Sequence, residues 1–124
     1  MPASKSNESG SANPADVPYG SWESFPWEPF PDYGGTKSII YRSTDGKIVA
    51  GLRSLARERS SGLVDEALFV TEGWIKFRIG DGEAFTQKKG DFCYLRKGHV
   101  VHMEISDDCG NVAAFINTEP VTLV

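Results

Sequence analysis

Few residues of this 124-residue chain can do acid–base or coordination chemistry. It has two histidines, His99 and His102, and two cysteines, Cys93 and Cys109. Histidine titrates near neutral pH and can carry a proton or ligate a metal. His99 and His102 sit three apart across a turn into a strand, so their side chains are expected to diverge. The cysteine spacing matches neither a zinc pattern nor a Cys-x-x-Cys redox pair. Both cysteines therefore read as reduced core or turn residues. A run of basic residues, Arg42, Lys47, Arg53, Arg57 and Arg59, has Glu58 interleaved. At the mouth of a cavity Arg53 would offer its guanidinium to a carboxylate or phosphate. On a solvated face the same run is only surface charge. Tyr41 and Tyr94 fall in strand-like segments, where a tyrosine pointing inward presents a polar tip to a ligand.

The segments that must position these groups read as β. After Gly34-Gly35, short apolar runs alternate with turn signals. The pattern predicts strands over 37–41, 47–55, 68–70, 75–79, 83–87, 92–95, 102–105 and 112–116. Ser43-Thr44-Asp45-Gly46 and Asp81-Gly82 read as turns, and Gly51 as a bulge. In the segment 74–79, Ile75, Phe77 and Ile79 face one way while Trp74, Lys76 and Arg78 face the other. Strand-sized pieces at this spacing indicate a sandwich or barrel over residues 36–124. Residues 1–20 are rich in Ser, Asn, Pro and Gly, and too poor in apolar groups to offset their ordering entropy, so a disordered tail is expected. Residues 21–35 hold Trp22, Phe25, Trp27, Phe30 and Tyr33 between prolines, which forbid a regular helix or central strand. They read as an extended aromatic arm lying on the barrel or on a second subunit, hence an expected homodimer.

The totals exclude several classes. A net charge of -4 provides no clustered basic face for nucleic acid. No apolar stretch is long enough to span a membrane as a helix. The N-terminus lacks the apolar core of a signal peptide, so the cytoplasm is the expected location.

Two stretches resemble the two boxes of the cupin superfamily. The first is Glu66-Ala67-Leu68-Phe69-Val70-Thr71-Glu72-Gly73; the second runs from Gly90-Asp91 through Phe92-Cys93-Tyr94-Leu95 to Gly98 and then His99 or His102. The chain is most similar to small single-domain cupins that include the ethanolamine-utilisation accessory proteins. The resemblance implies an all-β, single-domain, jelly-roll β-barrel. It also implies a metal site of three histidines and one glutamate, but residues 59–63, where a His-x-His pair would fall, contain no histidine. Glu66 and His102 alone remain of that set, too few to hold a catalytic metal, so no cofactor is expected. What remains is a barrel for a small, oxygenated organic molecule. A carboxylate desolvated by Leu68, Val70 and Phe77, next to a histidine, can move a proton within a bound molecule. Glu66 and His102 are thus the expected catalytic pair of a lyase, isomerase or cyclase. Tyr94, Arg53, Tyr41, Phe77 and His99 are the expected substrate-binding residues. The competing readings are a non-catalytic binding or accessory cupin, in which Glu66 and His102 are satisfied core residues, and a metal-dependent dioxygenase or lyase.

Overall fold

The computed structural model describes residues 12–29, 36–52 and 64–122. Among them the chain is almost wholly strand. One 3-10 turn, Trp22–Ser24, precedes β1 (Glu28–Pro29), β2 (Thr36–Lys37), β3 (Tyr41–Arg42), β4 (Ile48–Leu52) and β5 (Asp65–Glu72). Then follow β6 (Trp74–Ile79), β7 (Phe85–Lys88), β8 (Phe92–Leu95), β9 (Val101–Ile105) and β10 (Gly110–Ile116). A five-stranded sheet in the order β3-β4-β10-β5-β8 faces a three-stranded sheet in the order β7-β6-β9, and β1 pairs with β2. Every pairing is antiparallel.

The core follows from period-two alternation. On β5, Glu66, Leu68 and Val70 are buried while Phe69 is exposed. On β6, Ile75 and Phe77 are buried while Trp74, Lys76 and Arg78 are exposed, as the sequence alternation requires. Leu68, Val70 and Leu95 of the larger sheet meet Ile75, Phe77, Val101 and Met103 of the smaller in one cluster. A second cluster joins Ile39, Val49, Val64, Ala113, Phe115 and Val121. Each fully buried side chain of this size stabilises the fold by roughly 1.5–3 kcal/mol.

Two glycines shape the sheets. Gly51 has φ +91° and is the bulge, since Ala113 pairs with Leu52 and Ala114 with Ala50, leaving it unopposed. A Cβ there would meet the Ile40 side chain at 2.6 Å. Gly73, φ +67°, turns the chain from β5 in one sheet to β6 in the other, and a Cβ would strike the Ser106 hydroxyl. At the same corner Ser106 Oγ accepts from Trp74 N at 3.0 Å.

The strand expected over 37–41 divides into β2 and β3. Ser38 and Ile39 are buried in succession, so the segment leaves the alternating pleat between the β1 pairing and the β4 pairing. Of the expected strand 47–55, residues 48–52 are confirmed and 53–55 lie outside the described residues. The turn at Ser43-Gly46 forms, with Asp45 accepting from the Ser43 hydroxyl at 2.7 Å and from Lys47 N at 3.0 Å. In the arm, Phe25 is buried, Trp22 and Trp27 pack edge to face at 5.0 Å, and Trp27 Nε1 donates to Trp22 O at 3.1 Å.

Candidate functional site

The interior is organised in ranks that run across the strands. Leu95, Glu66, Phe115, Val49 and Arg42 form one rank of the five-stranded sheet. Val49, Phe115 and Leu95 are core residues, so the rank faces inward, and Glu66 is only 4% exposed between Leu95 and Phe115. The next inward rank is Cys93, Leu68 and Ala113. Burial pushes the Cys93 thiol up to about 11, and the negative charge of nearby Glu66 adds to the rise. Arg42 ends its rank at the sheet edge, donating from Nη1 to Val121 O at 3.3 Å. At the other end of the interior Asn111 is buried opposite Val70, and Gln87, paired with Ile75, has its side-chain oxygen buried without a hydrogen-bond partner among the described residues.

Glu66 therefore stands where the sequence placed it, but His102 does not share its space. On β9 the buried residues are Val101 and Met103; His102, between them, points out of the barrel and pairs with exposed Arg78. The inward position of this strand belongs to Val101, three residues after Gly98. The expected Glu66–His102 pair is corrected accordingly: a strand's side chains alternate, so a difference of one residue exchanges inside for outside. His99 is exposed in the turn before β9.

Tyr94 is corrected in the same way. It pairs with Ala67 on the outer face and is 47% exposed, while its neighbours Cys93 and Leu95 take the inward positions. Its hydroxyl donates to Asp65 Oδ2 at 2.8 Å, and Lys97 N donates to Asp65 Oδ1 at 2.9 Å. The Lys97 amide and then the Tyr94 hydroxyl hold the Asp65 carboxyl below its ordinary value, and Asp65 in turn raises Tyr94. Tyr41, opposite Ala50, belongs to the same outward rank as Tyr94. Phe77 does face inward, but as a fully buried core residue stacked on Phe85 at 5.3 Å. Arg53 lies outside the described residues.

Sequence reasoning passed over two features. Cys93, an ordinary thiol by its spacing, shares the interior with Glu66; the alternation of Phe92 and Tyr94 against Cys93 and Leu95 is the signal that groups it with Leu95. On the outer face of the small sheet, Trp74 floors a groove of about 610 Å³ with Lys76, Lys88 and Lys89. Lys89 also lies 3.8 Å from Glu72.

A transition metal of the kind the cupin boxes imply does not fit the interior. Such a site needs at least two imidazoles beside the carboxylate. The chain has two histidines, one exposed in a turn and the other on the outer face. Among the described residues, no group of three His, Cys, Asp or Glu side chains could hold a metal.

No family model matches the chain, and no curated protein matches it. Solved structures do. A putative ethanolamine utilization protein Q from Salmonella typhimurium LT2 superposes with TM-score 0.66 at 16% identity, over 95% of this chain and 100% of that one. Hydroxypropylphosphonic acid epoxidase from S. wedmorenis, in complex with fosfomycin, gives TM-score 0.62 at 16% identity, over 88% of this chain and 64% of that one. A cupin-2 domain containing protein from Shewanella frigidimarina NCIMB 400 gives TM-score 0.52 at 16% identity, over 65% and 79%. No helix among the described residues is long and apolar enough to cross a membrane.

Proposed function

We propose that this chain, a cupin by fold, binds a small oxygenated organic molecule inside its barrel, with the Glu66 carboxylate as the polar anchor and without turnover. The observation that carries the reading is a carboxylate 4% exposed on the inward face, set between Leu95 and Phe115 and beside Cys93. Burying an ionisable group costs free energy, and such groups concentrate at functional sites. A hydroxyl or protonated acid on a ligand would donate to Glu66 while its carbon skeleton lies on Leu68, Phe115 and Met103. Fosfomycin, in complex with the similar epoxidase, is a small oxygenated molecule.

Binding without turnover is preferred because intramolecular proton transfer needs a second group that gains or loses a proton near neutral pH. His102 stands outside the barrel. The Cys93 thiol, beside Glu66 and pushed up to about 11 by burial, stays protonated near neutral pH. The chain would act as a sensor or accessory subunit, with Glu66 setting affinity.

The test is thermal unfolding of wild type, Glu66→Gln, Glu66→Leu and His102→Ala against a panel of small polyols, hydroxy acids and phosphonates, fosfomycin included. Wild type and His102→Ala are expected to shift upward with the same compounds, and Glu66→Gln not to shift. Glu66→Leu, which has no polar head to receive a donor, should likewise show no shift with ligand, and Glu66→Gln without ligand should unfold close to wild type because the amide keeps the shape of the side chain. Strong destabilisation of Glu66→Gln without ligand would make Glu66 a structural residue, and loss of binding in His102→Ala would move the site to the outer face of β9.

A further inference from the structure

The outer face of the three-stranded sheet sets one large ring among cations. Along β6 the outward residues are Trp74, Lys76 and Arg78, spaced about 7 Å apart. On β7, Lys88 stands opposite Trp74 and Thr86 opposite Lys76. On β9, Glu104 stands opposite Lys76 and His102 opposite Arg78. The face thus has a first rank of Lys88 and Trp74, a second of Thr86, Lys76 and Glu104, and a third of Arg78 and His102. The groove of about 610 Å³ covers the first two ranks on the β7 side, from Gly73 and Asp108 at one end to Thr86 and Lys76 at the other. Trp74 is 38% exposed in its floor. The ammonium groups of Lys76 and Lys88 make no ion pair among the described residues. The side chains that line the groove alternate along β6 with buried Ile75 and Phe77, so it is separate from the interior that holds Glu66.

We propose that this groove binds a small molecule in which a flat aromatic ring is joined to a phosphate, the chemistry of a nucleoside monophosphate. The ring stacks on the open face of Trp74. The phosphate lies in the second rank, where the Thr86 hydroxyl and the Lys76 ammonium donate to it, and Lys88 neutralises it from the first rank. Ranks about 7 Å apart suit a ring and an anion separated by one sugar-sized spacer. The two halves of the site choose the class together. A neutral sugar would use Trp74 but leave both ammonium groups without a partner, and an anion without a ring would leave the indole in water. The acids around the groove fix the orientation. Glu104 flanks Lys76 on the β9 side and repels an anion there, so the phosphate keeps to the Thr86 side. Asp108 repels it from the Gly73 end, where it accepts from an amino group on the edge of the ring. Lys89 and Glu72 form an exposed pair at 3.8 Å, which adds little in either direction.

The experiment is calorimetric titration of the full chain at low salt with adenosine monophosphate, adenosine and ribose phosphate. The monophosphate is expected to bind with a dissociation constant on the order of 0.1–1 mM. Adenosine and ribose phosphate each keep one of the two contacts and should bind at least about tenfold more weakly. Trp74→Leu should weaken the monophosphate about tenfold and bring it level with ribose phosphate. Lys76→Gln should weaken the monophosphate about tenfold and leave adenosine unchanged. Glu104→Gln removes the neighbouring repulsion and should tighten it. Lys97→Gln removes the same charge elsewhere, beside Asn117 and Thr118, and should change nothing. Trp74, Lys76, Glu104 and Lys97 are all exposed, so the fold survives each change. Absence of binding at millimolar monophosphate would overturn the proposal. So would adenosine binding as tightly as the monophosphate, binding that survives both Trp74→Leu and Lys76→Gln, or a loss in Lys97→Gln equal to that in Lys76→Gln.

Discussion

Glu66 and Cys93 face the same interior from adjacent strands, diagonal to one another across the β5–β8 ladder, where Glu66 pairs with Leu95 and Leu68 with Cys93. Burial does most to hold the thiol at about 11, and the Glu66 charge adds to it. Alkylation needs the thiolate, so Cys93 should react slowly below about pH 9. Glu66→Gln removes the neighbouring charge and should lower the thiol value, speeding alkylation at about pH 8–9 by about twofold or more. Mass-spectrometric alkylation rates at Cys93 across pH measure this. An unchanged profile would mean that the two side chains do not sense each other.

The interior contacts differ sharply in worth along a single strand. Phe77→Ala opens a cavity in the main core cluster and is expected to cost about 3–5 kcal/mol. Trp74→Ala, three residues earlier on the outer face, should cost clearly less, because the residue is already 38% exposed and leaves no closed cavity. Urea unfolding of both variants checks the difference. Similar losses would place Trp74 in a packed interface within the monomer.

Gly73 and Gly90 both hold positive φ, +67° and +92°, but in different surroundings. A Cβ on Gly73 strikes Ser106, whereas a Cβ on Gly90 meets nothing within 4 Å. Alanine at Gly90 should cost only the backbone strain, about 1 kcal/mol. Alanine at Gly73 should cost clearly more, through displacement of the corner that joins the sheets. Equal costs in denaturant unfolding would count against the described packing at Ser106.

Asp65 carries a dependence on pH whose sign is fixed by its partners. Its folded-state value lies below the ordinary 3.8, through the Lys97 amide first and the Tyr94 hydroxyl second. A depressed carboxyl contributes stability that is present above the unfolded value and is lost as pH falls through the folded one. Asp65→Asn should therefore flatten the fall in stability below about pH 4, and Tyr94→Phe should flatten it partly. Thermal midpoints at stepped acid pH measure the slope. A slope unchanged in Asp65→Asn would assign acid sensitivity to other carboxyls, Asp45 first, which the Lys47 amide and the Ser43 hydroxyl also hold low.

The sequence by itself determined the strand content, the main turns, the bulge at Gly51 and the inward position of Glu66. Each of these follows from local rules: period-two alternation, Gly where φ is positive, and a repeated order of boxes. The likeness to the cupin fold was legible for the same reason, since Gly73, Gly90 and Gly98 hold positive φ at the turns between strands. Which face a lone polar residue takes was decided only by the tertiary structure. His102 and Tyr94 each sit one position from an inward residue, Val101 and Leu95, and a one-residue difference reverses the side of the sheet. In a strand of four or five residues the alternation separates two faces without saying which is inward; pairing with Arg78 on β6 and Ala67 on β5 decides it. The meeting of Glu66 with Cys93, and the outward row of Tyr94, Ala67, Ala114, Ala50 and Tyr41, likewise join residues far apart in the chain, which only sheet order brings side by side.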